Sequence, residues 1–403
     1  MSPDSHSNSR KGVNTRAVHG PHPSGPGPMS TPIFHSSTFA FDSLEAMLAE
    51  KERHAAGGFY QREGHPTLHA CEERLAALEG AEAALLFSSG MAALSSLFLS
   101  QLRAGDHVVA IDQSYGGTHG LLQWGAERLG WKFDLVDGRR PDTWDAAFRK
   151  ETKIFHVETP TNPILLVVDL ALAAAVAHKF EAKLTVDSTI ASPVGQHPLA
   201  HGADFVMHSA TKAIGGHGDL LAGVICGKKA GMEEVWKARK LFGPVPDPAL
   251  AWMIERSLKT LPLRVEACND NALELAVKLE THPAVEKVHY PGLIHHPTHE
   301  VARRQMLLGF GPMLSFDVHG GAEAAQTVAT SLQLFRFGPS LGGVESLVTL
   351  PAFTSHVQLG AEGRARAGIS ESCIRLSVGI EEADDLWADL GQALDRVRQP
   401  QRS

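Results

Sequence analysis

The alternation of short apolar runs with Ala/Leu-rich stretches is the feature that most constrains the fold. From residue 66 onward, AALLFSS, HVVAID, KFDLVD, KIFHVET and KLTVDST alternate with segments such as MAALSSLFLSQLRAG and LALAAAVAHKFEAK. Short β-branched and apolar runs separated by helical stretches are typical of a largely parallel sheet covered by helices. The sequence therefore predicts an α/β fold with a mostly parallel sheet flanked by helices.

Changes in this pattern divide the chain into three parts. Residues 1–65 open with a segment rich in Ser, Pro, Gly and His, and we interpret them as an N-terminal arm. Around TLPLR, residues 260–264, the alternation gives way to a long helical pattern, followed by MLSFDV and SCIRLSVGI. We predict an α/β domain over residues 66–263 and a smaller α+β C-terminal domain over residues 264–403.

The composition narrows the class of partner. A net charge of -8 gives the surface no attraction for nucleic acid or anionic lipid, so a small-molecule substrate is expected. The 4 cysteines are far apart and form no CxxC pair, which favours reduced thiols. No run approaches the roughly 20 apolar residues of a membrane helix, and the N-terminus lacks a secretory apolar region. The sequence predicts a cytoplasmic protein.

A lysine follows one of the strand-like runs, in DFVMHSATKAIGGHGD. Ligands of parallel α/β sheets bind beyond the carboxyl ends of the strands, which is where Lys212 is expected to lie. Ser209 and Thr211 supply hydroxyls suited to a phosphate, and nearby glycines permit close backbone approach, namely Gly215, Gly216 and Gly218. Lys212 is either a solvated surface charge or a nucleophile that forms a Schiff base.

Two further segments favour the second interpretation. FSSGMAALSS runs from a strand into a helix, so the free amides at Gly90 and Met91 can hold an anion. LTVDST places Asp187 and Thr189 at another strand end. Singly, these features are typical of a helix cap or a turn. Lysine, carboxylate and phosphate cradle together match the requirements of pyridoxal 5'-phosphate (PLP).

Motifs along the chain carry a resemblance to a known family, from about residue 15 to the end. They include STPIFHSSTF, FYQREGHPT, EGAEAALLFSSGMAA, YGGTH, HVETPTNP, HGADFVMHSATK, LKTLPLR and RLSVGIE. In these segments the chain resembles the Cys/Met-metabolism branch of fold-type I PLP-dependent enzymes. That branch includes cystathionine γ-synthases and γ-lyases, methionine γ-lyases and O-acylhomoserine sulfhydrylases. The resemblance implies the fold-type I architecture and PLP as the cofactor.

The resemblance also implies roles for individual residues. By position, Lys212 is expected to bind PLP covalently and to move protons between Cα and Cγ of the substrate. Asp187 is expected to pair with the pyridine nitrogen, with Thr189 beside it. Tyr115 of YGGTH is expected to stack on the cofactor ring and to assist the leaving group, whereas a buried turn aromatic would have no proton role.

The same resemblance implies a phosphate cup that is shared between subunits. Its members from one chain would be the amides of Gly90 and Met91 and the hydroxyls of Ser209 and Thr211. Tyr60 and Arg62 would complete the cup of the neighbouring subunit, which implies at least a dimer and usually a homotetramer built from two dimers. An Arg62 on a solvated loop would have no such role.

Three residues match the family's clamp for the α-amino-acid carboxylate, namely Arg375, Ser340 and Asn162. An arginine on a strand can equally form a surface ion pair, and it is the surrounding motif that favours the clamp. Glu158 in HVETPTNP falls near the cofactor, where we expect a supporting structural role.

Departures from the family pattern bear on specificity. Relatives that act on cystathionine often carry acidic residues where this chain has Phe59 and Pro339. An apolar distal pocket is expected, because burying the second charged end of cystathionine without a partner would be costly. Gly117 stands where methionine γ-lyases usually have a cysteine, which argues against a standard enzyme of that kind.

Three functions are compatible with these residues. The leading hypothesis is PLP-dependent γ-elimination on a sulfur-containing L-amino acid, of the cystathionine or methionine γ-lyase type. It would give 2-oxobutyrate, ammonia and a thiol. The alternative is γ-replacement, as in cystathionine γ-synthase or O-acylhomoserine sulfhydrylase. A PLP-binding regulator without turnover is the third. No metal is predicted, since His295, His296 and His299 have no carboxylate or cysteine at ligand spacing.

Overall fold

A computed structural model describes residues 11–19, 27–52, 58–357 and 360–397. Much of the first part of the N-terminal arm, with residues 53–57, lies outside the described residues. Within the described ranges, no helix combines the length and the apolar character needed to cross a bilayer.

A seven-stranded sheet forms the centre of the first part of the molecule. Its strands lie in the order β1-β7-β6-β5-β4-β2-β3. Their bounds are β1 Ala83–Phe87, β2 His107–Ile111, β3 Lys132–Val136, β4 Thr152–Glu158, β5 Lys183–Asp187, β6 Phe205–His208 and β7 Gly223–Gly227. Strands β6, β5, β4, β2 and β3 run parallel, whereas β7 is antiparallel to both β1 and β6. The predicted mostly parallel sheet is confirmed.

Helices cover this sheet, and several begin at a side-chain cap. Those that pack around it include α3 Pro66–Glu79, α4 Gly90–Gln101, α5 Gly116–Leu129, α6 Leu170–Lys179, α7 Ser192–Gly195, α8 Lys229–Phe242 and α9 Pro248–Leu258. Ser89 caps α4 by accepting a hydrogen bond from the amide of Ala92, and Asp169 caps α6 in the same way through Leu172. These caps fix where each strand-to-helix connection turns.

A 20-residue helix, α10, spans Leu261–Glu280 and connects the first sheet to a second one. The second sheet has the order β10-β11-β12-β9-β8. Its strands are β8 Val285–His289, β9 Met313–Val318, β10 Arg336–Phe337, β11 Leu347–Thr349 and β12 Cys373–Ser377. Its helices are α11 His299–Gln305, α12 Gly321–Ser331, α13 Gly360–Ala367 and α14 Ala383–Leu394. The domain boundary expected near residue 263 falls inside the first turn of α10.

Separate apolar clusters support the two sheets. Both faces of the first sheet are buried, through residues such as Val109 and Phe155 on one face and Val108 and Ile154 on the other. The second sheet has its own cluster, centred on Phe316 and the neighbouring strands. Burial on both faces explains why the strands of the first sheet read as continuous apolar runs.

The arm carries two helices, α1 Val13–Val18 and α2 Leu44–Glu52. The first is anchored, because Arg16 donates a hydrogen bond to the carbonyl of Ala77 at 3.0 Å. The second part of the arm leaves several large apolar side chains exposed, namely Met29, Ile33, Phe34, Leu44, Met47 and Leu48. A single chain therefore does not bury this segment.

Candidate active site

The carboxyl ends of three neighbouring strands form the floor of the site. Strand β4 ends at Glu158 and β5 at Asp187, and the sheet register places these two residues directly side by side. Both carboxylates are buried. Burial raises the pKa of Glu158 well above its usual range, and the neighbouring Asp187 raises it further.

Asp187 is held by the residue two positions further on. Thr189 donates to its Oδ1 from the backbone amide at 3.0 Å and from the hydroxyl at 2.5 Å. Burial raises the pKa of Asp187, while these hydrogen bonds and the charge of His208 act in the opposite direction. The amide of Ser209 in turn donates to the Thr189 hydroxyl at 2.8 Å, which joins the ends of β5 and β6.

Lys212 lies in the turn after β6 and points toward the second sheet. Its Nζ donates to Oγ of Ser340 at 3.0 Å. Burial lowers the pKa of Lys212, and the positive charge of Arg375 lowers it further. A lysine with a lowered pKa is more often a neutral nucleophile than a surface charge.

Arg264 fixes the turn that carries this lysine, a role that motif reading did not assign. Its Nη1 donates to the carbonyl of Ala213 at 2.8 Å, and its Nη2 donates to the carbonyl of Ser257 at 2.9 Å. Oγ of Ser257 donates to the carbonyl of Gly215 at 2.6 Å. The motif LKTLPLR, which contains Arg264, was the signal available in the sequence.

The start of α4 forms a cradle against the turn after β6. A Cβ built on Gly90 would lie 2.9 Å from Oγ of Ser209, so only glycine fits there. The first amides of the helix are free of intrahelical partners and suit an anion. Thr211 is already engaged, since its hydroxyl donates to the carbonyl of Ala222 at 3.1 Å and accepts from the amide of Ala222 at 3.0 Å.

Arg375, Asn162 and Ser340 are in direct contact, as the clamp hypothesis requires. Nη1 of Arg375 donates to Oδ1 of Asn162 at 3.2 Å, and Nη2 donates to the carbonyl of Ser340 at 3.0 Å. The Nε atom of Arg375 is buried without a hydrogen-bond partner among the described residues. Burial lowers the pKa of this guanidinium to about 10. A buried arginine with an unused donor is suited to a carboxylate.

Tyr115 lies at the start of α5, and Glu158 links it to the clamp. One oxygen of Glu158 accepts from the amide of Tyr115 at 2.6 Å, and the other accepts from the amide of Asn162 at 3.3 Å. The Tyr115 ring folds over Gly117, where a Cβ would lie 2.4 Å from the ring and 2.8 Å from Sδ of Met91. The supporting role expected for Glu158 is thus to position two site residues at once.

Tyr60 and Arg62 lie elsewhere on the same chain. The guanidinium of Arg62 stacks over the Tyr60 ring at 5.3 Å and donates to the carbonyl of Lys240 at 3.3 Å. Both side chains therefore rest beside the end of α8. The structure does not bring them to the Lys212 of their own chain.

The assembled groups fit PLP. The site contains a half-buried amine, a buried carboxylate at a neighbouring strand end, a glycine-lined helix start beside a serine hydroxyl, and an arginine with an unused donor. These are the elements that PLP and an α-amino acid need. Fold and site together define a PLP-binding enzyme of the α/β class.

Comparison with known proteins identifies the family. Residues 14–395 match the family model described as "Cys/Met metabolism PLP-dependent enzyme". This chain belongs to that family, and PLP is its cofactor, as the sequence predicted. L-methionine gamma-lyase of Treponema denticola is 42% identical over 375 residues, which cover 92% of this chain and 93% of the relative. Cystathionine gamma-lyase of Bacillus subtilis is 41% identical over 372 residues, which cover 92% and 95%.

A third relative and a solved structure extend the comparison. Cystathionine beta-lyase of Lactococcus lactis subsp. cremoris is 41% identical over 387 residues, covering 95% of this chain and 99% of the relative. The crystal structure of metB from Corynebacterium glutamicum superposes with a TM-score of 0.91 at 39% identity, and it covers 97% of this chain and 100% of that one. The superposition confirms the predicted fold class.

Proposed function

We propose that this protein is a PLP-dependent carbon-sulfur lyase that catalyses γ-elimination on a sulfur-containing L-amino acid. The observation that carries the proposal is the half-buried Lys212 amine, which lies 3.0 Å from Oγ of Ser340, while the Ser340 carbonyl is bonded to Arg375. The amine that must act on Cα and the guanidinium that must hold the α-carboxylate are thus linked through one residue. The relatives named methionine gamma-lyase and cystathionine gamma-lyase support the same reaction.

Different residues of the site have different roles in the proposed reaction. PLP, when bound, supplies the electron sink that makes loss of the Cα proton possible. Arg375 and Asn162 hold the substrate carboxylate and so orient the Cα–H bond toward Lys212. Burial, and then the charge of Arg375, lower the pKa of Lys212, which favours the neutral amine that accepts that proton. Asp187 would pair with the pyridine nitrogen of the bound cofactor.

The second half of the reaction occurs at Cβ and Cγ. Lys212 would pass on the proton it took from Cα before taking one from Cβ. The bond between Cγ and sulfur then breaks, the sulfur leaves with the electron pair, and Lys212 would return a proton to Cγ. Tyr115, at the start of α5 and half-exposed, would supply a proton to the departing thiolate. Water then releases 2-oxobutyrate and ammonia, so the products are a ketoacid, ammonia and a thiol.

Product analysis tests this function. The PLP-loaded protein is incubated with L-cystathionine, L-methionine and an O-acyl-L-homoserine, each with and without added thiol, and the products are identified by mass spectrometry. We expect 2-oxobutyrate and a thiol from a sulfur substrate without added thiol. A thioether formed only from the acylated substrate plus thiol would instead show γ-replacement, and pyruvate would show β-elimination.

A lysine variant tests the assignment of the nucleophile. Lys212→Ala should abolish turnover and the visible absorption of covalently bound PLP, since no other amine is proposed to bond to the cofactor. Lys228→Ala, at an exposed lysine that precedes α8, serves as the matched control and should retain both properties. Normal activity in Lys212→Ala would contradict the assignment.

The active site is proposed to be shared between subunits of a homotetramer built from two dimers. Arg62 stacks on Tyr60 and donates to the carbonyl of Lys240, at the end of α8, and the arm exposes apolar side chains that a second subunit would bury. Arg62→Ala should therefore weaken PLP retention, while mixed oligomers of Arg62→Ala with Lys212→Ala should regain activity at hybrid sites. Activity no higher than the sum of the separate variants would argue against sharing.

A cytoplasmic location is proposed on the state of the cysteines. Cys71, Cys226, Cys268 and Cys373 are all buried and unpaired. Reduced thiols of this kind are typical of proteins from reducing compartments. Titration of the native and denatured protein with a thiol reagent checks the point, and we expect four reactive thiols only after denaturation.

A further inference from the structure

A buried pair of side chains lies behind the strand ends of the candidate site. His208, the last residue of β6, and Glu79, the last residue of α3, are 1% and 0% exposed. Nε2 of His208 lies 2.8 Å from Oε2 of Glu79. Neither residue is among those assigned to PLP or substrate above.

The other ring nitrogen of His208 contacts the chain next to Asp187. Its Nδ1 lies 3.1 Å from the carbonyl oxygen of Ser188. A carbonyl oxygen only accepts hydrogen bonds, and an ionised carboxylate also only accepts. Nδ1 therefore carries hydrogen, and when Glu79 is ionised Nε2 carries hydrogen as well, so that the His208 ring is then a cation paired with the Glu79 anion.

The pair has a defined orientation with respect to the site. The cationic ring contacts the Ser188 carbonyl, on the side of Asp187, while the Glu79 carboxylate lies on the far side, in α3. A second contact joins the same two strand ends, because the amide of Ser209, which follows His208, donates to the Thr189 hydroxyl. The contacts of His208 thus fix the short segment from Asp187 to Thr189.

A cation near Asp187 would favour the ionised form of its carboxylate. Glu158 lies directly beside Asp187 and both carboxylates are buried, so repulsion and burial favour protonation of one of them. The charge of His208 opposes the effect of burial on Asp187. Cys226 on β7 adds no second negative charge near Glu79, because burial, and then the charge of Glu79, raise the pKa of its thiol well above the usual range.

We propose that Glu79 and His208 are positioning residues of the cofactor site, which hold the Asp187–Thr189 segment in place and keep the Asp187 carboxylate ionised. The inference rests on the proposed pairing of Asp187 with the pyridine nitrogen of PLP. It assigns a role to a buried ion pair that touches neither PLP nor substrate. Asp187 remains the residue in direct contact with the cofactor.

Three variants separate this role from general stabilisation. Glu79→Gln and His208→Gln keep hydrogen-bonding groups of similar length but remove the oriented charge pair. Glu72→Gln is the matched control, because Glu72 is also buried, lies in the same helix α3 and pairs with Arg239 and the amide of Leu86. Circular dichroism and thermal unfolding show which variants are folded, and His208→Gln decides the question if Glu79→Gln does not fold.

Two readouts besides turnover are measured on the PLP-loaded proteins. The first is the pH midpoint of the visible absorption change of bound PLP, and the second is the dissociation constant of PLP by equilibrium dialysis. We expect the midpoint to move to higher pH in both variants, because His208→Gln removes the nearby cation and Glu79→Gln removes the anion that pairs with that cation and stabilises it. PLP should dissociate about tenfold more readily, the effect of losing one charge-assisted hydrogen bond. Glu72→Gln should show neither change.

The results that would contradict the positioning role differ from those that would contradict the pairing of Asp187 with PLP. Unchanged midpoints and dissociation constants in folded Glu79→Gln and His208→Gln, or equal changes in Glu72→Gln, would overturn the positioning role while leaving the cofactor site intact. Asp187→Asn serves as the reference for that site. An unchanged spectrum and PLP affinity in Asp187→Asn would overturn the pairing of Asp187 with PLP and, with it, this inference.

Discussion

Four ionisable side chains, Lys212, Arg375, Asp187 and Glu158, lose most of their contact with water in one small region. Burial is the largest cause of the pKa change in each of them, lowering the pKa of the two bases and raising that of the two acids. Each shift disfavours the charged form, and for Lys212 it favours the neutral amine that can accept a proton, while Arg375 stays charged. At the scale of the residue, desolvation prepares the site for acid-base chemistry.

Gly117 allows a testable statement about the position of Tyr115. A Cβ at residue 117 would collide with the Tyr115 ring, whereas a Cβ at Gly116 would meet nothing within 4 Å. The half-exposed ring can move aside, so Gly117→Ala should keep the fold but lower kcat/KM by about 10- to 100-fold, as expected when a catalytic group is misplaced. Steady-state kinetics compare it with Gly116→Ala, which should stay near wild type. Equal losses in both variants would contradict this account.

At the scale of elements, the turn after β6 depends on contacts from α9 and α10. Ser257 in α9 and Arg264 in α10 bind three carbonyl groups of the turn between them. The loop before β11 adds a fourth contact, since the amide of Val344 donates to the carbonyl of Gly216 at 2.9 Å. Elements far apart in sequence thus hold the lysine of the site.

Gly216 tests how tightly this turn is built. Its φ is 73°, and a Cβ there would lie 1.9 Å from Nη1 of Arg264. Gly243, after α8, has a similar φ of 81° but open space around it. Both substitutions to alanine cost about 1–2 kcal/mol for the left-handed backbone. Gly216→Ala should lose about 1–3 kcal/mol more from the clash with Arg264 and should also retain PLP poorly.

Urea unfolding measures the loss of stability, and equilibrium dialysis measures the retention of PLP. If Gly216→Ala and Gly243→Ala are equally stable and bind PLP equally well, the packing of Arg264 against this turn does not support the lysine. A greater loss in Gly216→Ala alone is the expected result.

The strands of the first sheet were predictable, but several contacts between elements were not. Apolar runs located β2, β4 and β5 because both faces of those strands are buried. The rule that ligands bind beyond the carboxyl ends of parallel strands then predicted that Lys212 and Asp187 lie at the same edge of the sheet. The antiparallel insertion of β7 between β1 and β6 was not predictable, since an apolar run carries no direction. The bond of Arg264 to the carbonyl of Ala213 joins positions 51 residues apart, and the motif LKTLPLR, which contains Arg264, does not indicate that partner.

At the scale of the whole molecule, buried neutral histidines set the response to acid. His156 is 0% exposed, and burial, followed by the charge of His119, lowers its pKa to about 3. His65 is equally buried, with its pKa lowered to about 4, mainly by burial. Between these values and the ordinary histidine pKa of 6.5, the unfolded chain binds protons that the folded protein does not. The free energy of unfolding therefore falls as the pH falls below 6.5.

His156→Gln isolates one of these groups. Between about pH 8 and pH 5, wild-type His156 should account for a loss of about 2 kcal/mol in the free energy of unfolding. Urea unfolding at the two pH values should show a difference smaller by that amount in His156→Gln. His295→Gln, at an exposed histidine, is the control and should keep the wild-type difference. An unchanged difference in His156→Gln would show that this residue does not set the acid response.

The helix α10 has a consequence for the range of substrates. Its first turn binds the lysine loop through Arg264, and Asn271 in its middle donates to the carbonyls of Gly379 and Glu381 at 3.1 and 2.7 Å, just beyond the strand that carries Arg375. One rigid element thus bridges the amine and the guanidinium and fixes their spacing. In the proposed reaction, that spacing would match the amino-acid end that the substrates share. Discrimination among substrate groups beyond Cγ would then depend on the loops around the site. New specificities could therefore evolve without changes to the reactive centre.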